Sequence, residues 1–385
     1  MPEPNKTKVV FIWKNMGHYH QARMEALCKQ ADLDITVIEL YRREKMRFWK
    51  PSGVRNFKNI TIWSGEANGL IEPLVGWLVL MAVLKIKPAV LIIPGYNQLS
   101  SFWALLAGRL SGSKCVLYSV THALDKKRHF LAEALKKQLL SLFDAVFVAG
   151  GRAKAYMHQL GRPPETVFTI GNVVDNQYFE TGCQKVRQRA DSERQALKLP
   201  KNYFLYTGRL AKEKNLLVLL RAFAQYRMRS QSLGWSLVLV GSGPEETGLK
   251  NFAKEQRIAD IYFVPFQQPE TLVAYYALAG AFVLPSASET WGLVANEAAA
   301  CQLPLLLSER CGCLPELLKN GENGFAFDPF NEKELAGAME KLTQNPAAVS
   351  TFGEASHQLA QKLTLHQYAQ RVSAGVQQII SRKAI

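Results

Sequence analysis

The sequence predicts an α/β protein of two domains, each a parallel β-sheet with helices on both faces. Short apolar runs alternate with helical segments along the whole chain, which is the pattern of consecutive strand–helix units. At 385 residues the chain is long enough for two cores. A polar segment at 181–201 interrupts the alternation and is the expected interdomain linker.

The first domain is expected over residues 1–180 and the second over 202–350. In the first, apolar strands at 9–13 and 88–96 end in loops that contain glycine, and helices follow. In the second, a strand over 203–207 leads into a basic loop and a long helix. Residues 351–385 are expected to form one or two helices that can pack back on the first domain.

Composition is ordinary for a globular protein, with 48% apolar and 21% charged residues. The six cysteines show no metal-binding spacing and are expected to be buried free thiols in a reducing compartment. The first residues lead directly into a strand, so no signal peptide is expected. The longest apolar run, 74–84, is too short to span a bilayer and is expected to be a buried helix, with a segment that dips into the membrane as the alternative. We therefore expect a cytoplasmic protein that is peripheral at the inner face of the membrane.

The positive charge lies almost wholly in the first half. Residues 1–190 carry 27 Lys and Arg against 14 Asp and Glu, a net of +13, whereas the remainder carries only +2. Nucleic acid, an anionic membrane surface or a phosphorylated acceptor would each explain this excess. A basic and aromatic run at 41–58 is typical either of a solvated loop or of a segment that contacts an anionic surface.

Two glutamates mark the first candidate site, in the stretch 282–304. A buried strand ends at about Leu284, a polar loop carries Glu289, and a helix that begins at about Leu293 carries Glu297. The helix N-terminus follows Trp291 and Gly292, where free N–H groups and the helix dipole favour an anion. Carboxylates on both sides of an anion site suit a nucleotide sugar, although each alone is more often a solvated charge.

A basic loop after the strand at 203–207 supplies the matching cations. Arg209 and Lys214, with the backbone at Gly208, can converge on a diphosphate, and Asn215 is expected to cap the next helix. A basic loop alone is usually solvated, but together with the Glu289 loop at a neighbouring strand end it specifically indicates a nucleotide-sugar site. The sequence lacks the motifs of P-loop ATPases, zinc proteases and serine hydrolases.

Four motifs in order resemble the C-terminal domain of retaining glycosyltransferases of family 4, also called group 1. They are GRLAKEKN, GSGP, FVLPSASETWGLVANEAAACQLP and GCLPELLKNGENGFAFDP. In the first half, DAVFVAGGRAKAYMHQLG and NVVDNQYF also resemble that family. The resemblance implies a GT-B fold: two Rossmann-like domains that face each other across a cleft.

The resemblance also implies roles for individual residues. Arg209 and Lys214 would hold the diphosphate, Glu289 the sugar hydroxyls and Glu297 the ribose hydroxyls. Gln302 departs from the family, whose glycine suits a positive φ at this helix end. Three further contributions are implied: backbone amides at Trp291, Gly292 and Leu293, backbone approach to the donor at Gly17, and a histidine, His122, beside the reacting carbon.

The expected function is transfer of a hexose-type sugar, with retention, from a UDP- or GDP-sugar to a hydroxyl acceptor. The acceptor is expected to be a lipid-linked glycan, a lipopolysaccharide or an exopolysaccharide intermediate at the inner face of an anionic membrane. No metal or other cofactor is required, because Arg209 and Lys214 stabilise the leaving diphosphate. The alternatives are a sugar-nucleotide epimerase or phosphorylase of the same fold and, more remotely, a non-enzymatic nucleic-acid-binding protein.

Overall fold

The computed structural model describes residues 6–43, 55–67, 69–96, 98–230 and 234–382. The chain divides into two compact units, each built on one parallel sheet. Unit 1 comprises Met1–Val120, Arg128–Val174 and Leu365–Ile385, and unit 2 comprises Thr121–Lys127 and Asp175–Thr364. Two parallel sheets confirm the predicted α/β class.

The sheet of unit 1 has the strand order β3-β2-β1-β4-β5-β6-β7 within the described residues. Its central strands are apolar and almost fully buried, as expected where helices cover both faces of a parallel sheet. The edge strand β3 is half exposed and lacks that apolar signal, so it was not predicted from the sequence. The bounds are β1 Thr7–Trp13, β2 Leu33–Arg43, β3 Lys58–Glu66, β4 Val90–Pro94, β5 Lys114–Ser119, β6 Ala145–Val148 and β7 Val167–Thr169.

The sheet of unit 2 has the order β10-β9-β8-β11-β12-β13 in the part of the chain that the structure describes. Strand order reverses between β8 and β11, which lie side by side although two strand–helix units separate them in sequence. The bounds are β8 Tyr203–Thr207, β9 Ser236–Val240, β10 Ile261–Val264, β11 Ala281–Leu284, β12 Leu305–Ser308 and β13 Gly324–Phe327.

The helices follow the expected alternation with the strands. They are α1 His18–Cys28, α2 Glu72–Ile86, α3 Leu99–Leu110, α4 Phe130–Ser141, α5 Gly151–Gln159, α6 Asn176–Arg187, α7 Ala190–Leu197, α8 Leu216–Ser230, α9 Glu246–Glu255, α10 Pro269–Leu278, α11 Leu293–Ala300, α12 Leu314–Leu317, α13 Glu332–Gln344, α14 Pro346–Ala360 and α15 Leu365–Ser381.

The segment expected to be a linker, 181–201, lies in unit 2 and is largely helical, because α6 and α7 occupy it. Phe179, Cys183 and Val186 form the buried side of α6, and that helix packs against α10 and α11. Of the two helices in 351–385, α14 belongs to unit 2, whereas α15 belongs to unit 1 and packs on α1.

Two segments of unit 1, the apolar run 74–84 and the basic run 41–58, were singled out in the sequence. The run 74–84 forms α2, but only one side of this helix is buried. No helix among the described residues is long and apolar enough to cross a membrane. Most of the basic and aromatic run 41–58 lies outside the described residues, so its contact with an anionic surface stays a prediction.

Candidate functional site

The candidate residues of unit 2 gather at the carboxyl ends of β8 and β11. These strands are hydrogen-bonded neighbours, with Ala281 beside Phe204 and Phe282 beside Leu205. Ligands of open parallel sheets bind at such a point of reversed strand order, because the two adjoining loops leave a crevice there. The loop after β8 carries the predicted cations, and the loop after β11 carries Glu289.

Lys214 and Glu289 form an ion pair through Nζ and Oε2. Backbone hydrogen bonds bring their loops together, since the N–H groups of Ala287 and Ser288 both donate to the Glu213 carbonyl. The Lys214 and Glu289 side chains are only 16% and 11% exposed, so water screens the pair weakly. The Ser286 hydroxyl also donates to Glu289 Oε2, at 3.3 Å.

Arg209, the second predicted cation, lies at the more exposed end of the same loop. Its Nη2 pairs with Glu213 Oε1 at 2.5 Å, and the Tyr206 hydroxyl donates to the Arg209 carbonyl at 2.8 Å. Burial, together with the negative charges of Glu289 and Glu213, raises the pKa of Tyr206 well above its usual value. Tyr206 therefore remains a neutral donor that shapes the loop while Arg209 faces solvent.

Gly208 and Asn215 fix the two ends of this loop. Gly208 has a φ of +144°, in the region that favours glycine, and its N–H donates to the Val240 carbonyl of β9. Asn215 has a φ of +57° instead of the extended conformation of an N-cap. Its Nδ2 donates to the carbonyls of Pro285 and Pro329, so the prediction that it caps α8 is wrong. It ties the basic loop to the loop after β11.

Helix α11 begins at the candidate site without a side-chain cap. Gly292 adopts a φ of +100°, and a Cβ there would approach Leu284 Cδ2 to 2.9 Å. Trp291 is buried, and its Nε1 donates to Asn296 Oδ1 at 2.9 Å. The backbone N–H groups of Gly292 and Leu293 therefore lie in a rigid turn at the start of α11, which is the positive end of the helix dipole.

Glu297, one turn further along α11, is almost completely buried. The Tyr276 hydroxyl donates to Glu297 Oε2 at 2.6 Å. The Thr207 Oγ1 lies 2.6 Å from the same hydroxyl. Because Tyr276 gives its single hydrogen to the carboxylate, Thr207 donates to Tyr276. This chain of hydrogen bonds joins Thr207 at the end of β8, through Tyr276 of α10, to Glu297 of α11.

His122 lies in unit 2, in the short segment Thr121–Lys127. Its Nδ1 accepts the Leu124 N–H at 3.2 Å, so the hydrogen of the neutral ring is on Nε2. That nitrogen lies 2.9 Å from the Glu289 carbonyl, to which it donates. The Asp125 carboxylate accepts the His122 N–H, and the Ser288 hydroxyl donates to the Asp125 carbonyl. His122 thus contacts the backbone of the glutamate loop.

Gly17 belongs to unit 1, where it precedes α1 as its N-cap. Its φ of −78° and ψ of 168° are extended backbone that other residues also adopt. Gln302, the departure from the family pattern, follows α11 with a φ of +59°. The geometry there is the one for which a glycine is favoured, although the chain has glutamine.

Several residues that shape the site escape sequence reasoning. Glu213 stands four residues after Arg209, a spacing that signals an ion pair. Asp125 stands three residues after His122, which is a turn signal. Ser286 stands three residues before Glu289 in the same loop, whereas Tyr276 lies on α10 and reaches Glu297 of α11 only through tertiary packing. No cluster of three or more metal-ligating side chains occurs among the described residues.

The comparisons with known proteins concern the sequence of unit 2 and the fold of the whole chain. Residues 187–361, which include every candidate except Gly17 and His122, match the family model of the glycosyl transferases group 1. The D-inositol 3-phosphate glycosyltransferase of Rhodococcus erythropolis is 32% identical over 207 residues, which cover 51% of this chain and 45% of that protein. The chain thus spans less than half the length of this curated relative.

Solved structures show that the similarity of fold extends over both units. The glycosyltransferase of Rickettsia africae superposes with a TM-score of 0.77 at 12% identity, over 98% of this chain and 100% of that one. Anabaena HepE, solved with UDP and glucose, has a TM-score of 0.72 at 16% identity, over 96% and 98% of the two chains. The chain therefore has the GT-B fold.

Proposed function

We propose that the protein is a glycosyltransferase that moves a sugar from a nucleotide-diphosphate sugar to a hydroxyl acceptor. The observation that carries this proposal is the Lys214–Glu289 ion pair beside the uncapped start of α11. A cation and free amides suit a diphosphate, and a carboxylate suits sugar hydroxyls. The match of residues 187–361 to group 1 glycosyl transferases supports the same reading.

The donor is held by separate groups with separate tasks. Lys214 and Arg209 bind the diphosphate and neutralise the charge that develops as the glycosidic bond breaks. The amides of Trp291, Gly292 and Leu293 lie near the sugar and the phosphate, and Glu289 orients the sugar hydroxyls. Two cations at the leaving group make a metal ion unnecessary for this step.

Two further assignments concern Glu297 and His122. Glu297 binds the ribose hydroxyls, with Tyr276 holding its carboxylate in place. His122 lies beside the reacting carbon and supports Glu289, because its Nε2–H holds the Glu289 carbonyl. Gly17 contributes backbone to donor binding, as the resemblance implies.

The donor is a UDP- or GDP-linked hexose, transferred with retention at the anomeric carbon. Retention and family 4 follow from the resemblance of the four motifs. The structure of HepE, solved with UDP and glucose, supports a uridine nucleotide as the first donor to test. Exclusion of water from the site would limit hydrolysis of the donor.

The acceptor is a lipid-linked glycan, a lipopolysaccharide or an exopolysaccharide intermediate, met by a cytoplasmic protein at the inner face of the membrane. The net charge of +13 on residues 1–190 supports an anionic acceptor or an anionic surface that displays it. The name of the Rhodococcus relative, with its inositol phosphate, supports an acceptor that carries phosphate.

A panel of UDP-, GDP- and ADP-sugars tests the proposal. We expect one nucleotide class to be consumed, slowly as hydrolysis without acceptor and faster with a membrane lipid extract. Glu289→Gln and Lys214→Met should each lower both rates by about a hundredfold or more, whereas Arg221→Met, the same charge change as Lys214→Met at the ion pair of α8 with Glu332, leaves them unchanged.

The panel also separates the alternative functions. Conversion of the donor sugar without any acceptor would show an epimerase, and a requirement for inorganic phosphate would show a phosphorylase. If no donor is consumed while polyphosphate and nucleic acid bind tightly, the proposed transfer is refuted and the positive charge serves a binding protein.

A further inference from the structure

Helix α2 of unit 1 presents an apolar stripe to solvent as well as to the core. Leu74, Trp77 and Met81 recur at intervals of three and four residues, so they share one side of the helix. Each is 48 to 51% exposed. The opposite side buries Val75, Val79 and Val83. The exposed stripe is therefore additional to the side that packs on the sheet.

Helix α3 repeats this arrangement. Phe102, Leu106 and Leu110 recur every four residues along its outer side and are 46 to 65% exposed. Its inner side carries the small residues Ala104 and Ala107, which are fully buried. Single exposed apolar residues need no explanation, but two complete stripes on neighbouring helices do.

The two stripes form one surface because α2 and α3 pack closely. Gly76 allows this approach: a Cβ there would lie 2.1 Å from Trp103 Cδ1. The rings of Trp77 and Trp103 meet edge to face, with centroids 6.3 Å apart. The methyl group of an alanine at position 76 would clash with Trp103, so glycine is needed for the two helices to pack this closely.

Helix α4 extends the surface on the other side of α3. Arg109 Nη2 donates to the Leu142 carbonyl at 2.6 Å, which joins the ends of α3 and α4. Leu131 and Leu135, one turn apart, are exposed on α4. Helix α2 connects β3 to β4, α3 connects β4 to β5, and α4 connects β5 to β6. All three crossovers run in the same direction across the sheet, so right-handed connections place the three helices on one face.

Cations accompany these apolar side chains. The parts of unit 1 within 69–142, residues 69–120 and 128–142, contain seven Lys and Arg but only two Asp and Glu. Lys85 stands in the last turn of α2, and Lys137 is exposed on α4. An apolar area with a positive border matches the layers of a bilayer surface, where lysine stems lie along apolar groups and their ammonium groups meet lipid phosphates.

We propose that the outer surface of α2, α3 and α4 docks unit 1 on an anionic lipid bilayer, with the apolar stripes inserted at the level of the headgroups. Charge favours lipid over a second copy of this chain, since two such positive surfaces repel each other. Trp77 suits the interface in particular, because indole combines an apolar ring with a hydrogen-bond donor. The inference rests on the proposed function in one respect, namely that the acceptor brings the protein to a membrane.

Sedimentation with vesicles tests the proposal. The full chain is mixed with phosphatidylcholine vesicles and with vesicles containing about a third phosphatidylglycerol. We expect binding to the anionic vesicles that weakens as salt is raised, with a blue shift of tryptophan emission. Met81→Glu combined with Leu106→Glu lowers the partition coefficient at least about tenfold, because each buries a carboxylate in the apolar layer.

A matched control and a charge variant keep the result unambiguous. Leu217→Glu combined with Met228→Glu places the same charges on exposed apolar positions of unit 2 and leaves binding unchanged. Lys85→Gln combined with Lys137→Gln lowers binding to anionic vesicles by about fivefold for each lysine. A thermal melt confirms that each variant is folded.

Two results would overturn the docking surface. One is equal binding of Met81→Glu/Leu106→Glu and the wild type to anionic vesicles. The other is a concentration-dependent dimer that this double variant abolishes, which would make a second copy the occupant. Donor consumption by the wild type is measured in parallel without vesicles. Vesicle binding without donor consumption would refute only the proposed transfer. Donor consumption without vesicle binding would refute only the docking surface.

Discussion

Replacing Lys214 by methionine tests the central contact of the candidate site. Methionine keeps most of the length of the side chain and removes its charge. Glu289 would then lose its ion pair and retain the 3.3 Å hydrogen bond from the Ser286 hydroxyl. Because the Glu289 side chain is only 11% exposed, water replaces the lost partner poorly.

The expected magnitudes follow from burial and charge. A hydrogen bond to a charged group contributes about 1.5–3 kcal/mol, so Lys214→Met should lower the free energy of unfolding by about 2 kcal/mol. Glu289→Gln should cost a similar amount. The double variant should cost less than the sum, with a coupling energy of about 1–2 kcal/mol. Loss of the cation at the leaving diphosphate should reduce kcat/KM by about 10²–10³-fold.

Urea unfolding of the four proteins measures the cycle, and initial rates with the donor found in the panel measure kcat/KM. Arg221→Met is the control, since its ion pair with Glu332 is half exposed and should contribute less than about 1 kcal/mol. If Lys214→Met keeps kcat/KM within threefold of the wild type, the diphosphate is not bound at Lys214. A coupling energy near zero would show that the ion pair is absent in solution.

Three further predictions concern the frame of unit 2 and the core of unit 1. Gly241→Ala should destabilise the protein by at least about 2 kcal/mol, because its φ is +153° and a Cβ would lie 1.8 Å from the Gly208 carbonyl oxygen; Gly248→Ala, in open space on α9, should instead stabilise it by about 0.5–1 kcal/mol in the same urea titration. Gln302→Gly should raise the free energy of unfolding by about 0.5–1 kcal/mol, since relief of the left-handed residue at the end of α11 outweighs the freedom that glycine adds to the unfolded chain; a loss of stability would contradict this account. Burial raises the pKa of Cys115 from 9.0 to about 11, so the unfolded thiol ionises first as pH rises. The folded state should then lose about 2 kcal/mol between pH 9 and pH 11 from this group, and Cys115→Ala should show a correspondingly smaller loss when unfolding is measured at pH 8.5 and pH 11.

Local sequence was enough to locate the donor-side candidates. Buried parallel strands are continuous apolar runs, so β8 and β11 are visible as such, and the polar loops after them stand out by contrast. Glu289 and Lys214 were singled out by this placement, and the structure brings them into direct contact. The edge strand β3 was missed because its half-exposed residues resemble those of a loop.

Contacts between segments far apart in sequence depended on the tertiary structure. Lys214 meets Glu289 only because β8 and β11 are neighbours and Glu213 holds both loops. The Nε2–H tautomer of His122 is set by the Leu124 N–H, and Asn215 became a tie between loops through two distant carbonyls. The exposed side of α2 was likewise undetermined by its sequence, because a helix that is apolar all round does not reveal which side the sheet covers. The sequence by itself therefore determined which residues can carry charge at strand ends, through local periodicity, and only the packing of distant strands and helices decided which of them meet and which apolar side faces solvent.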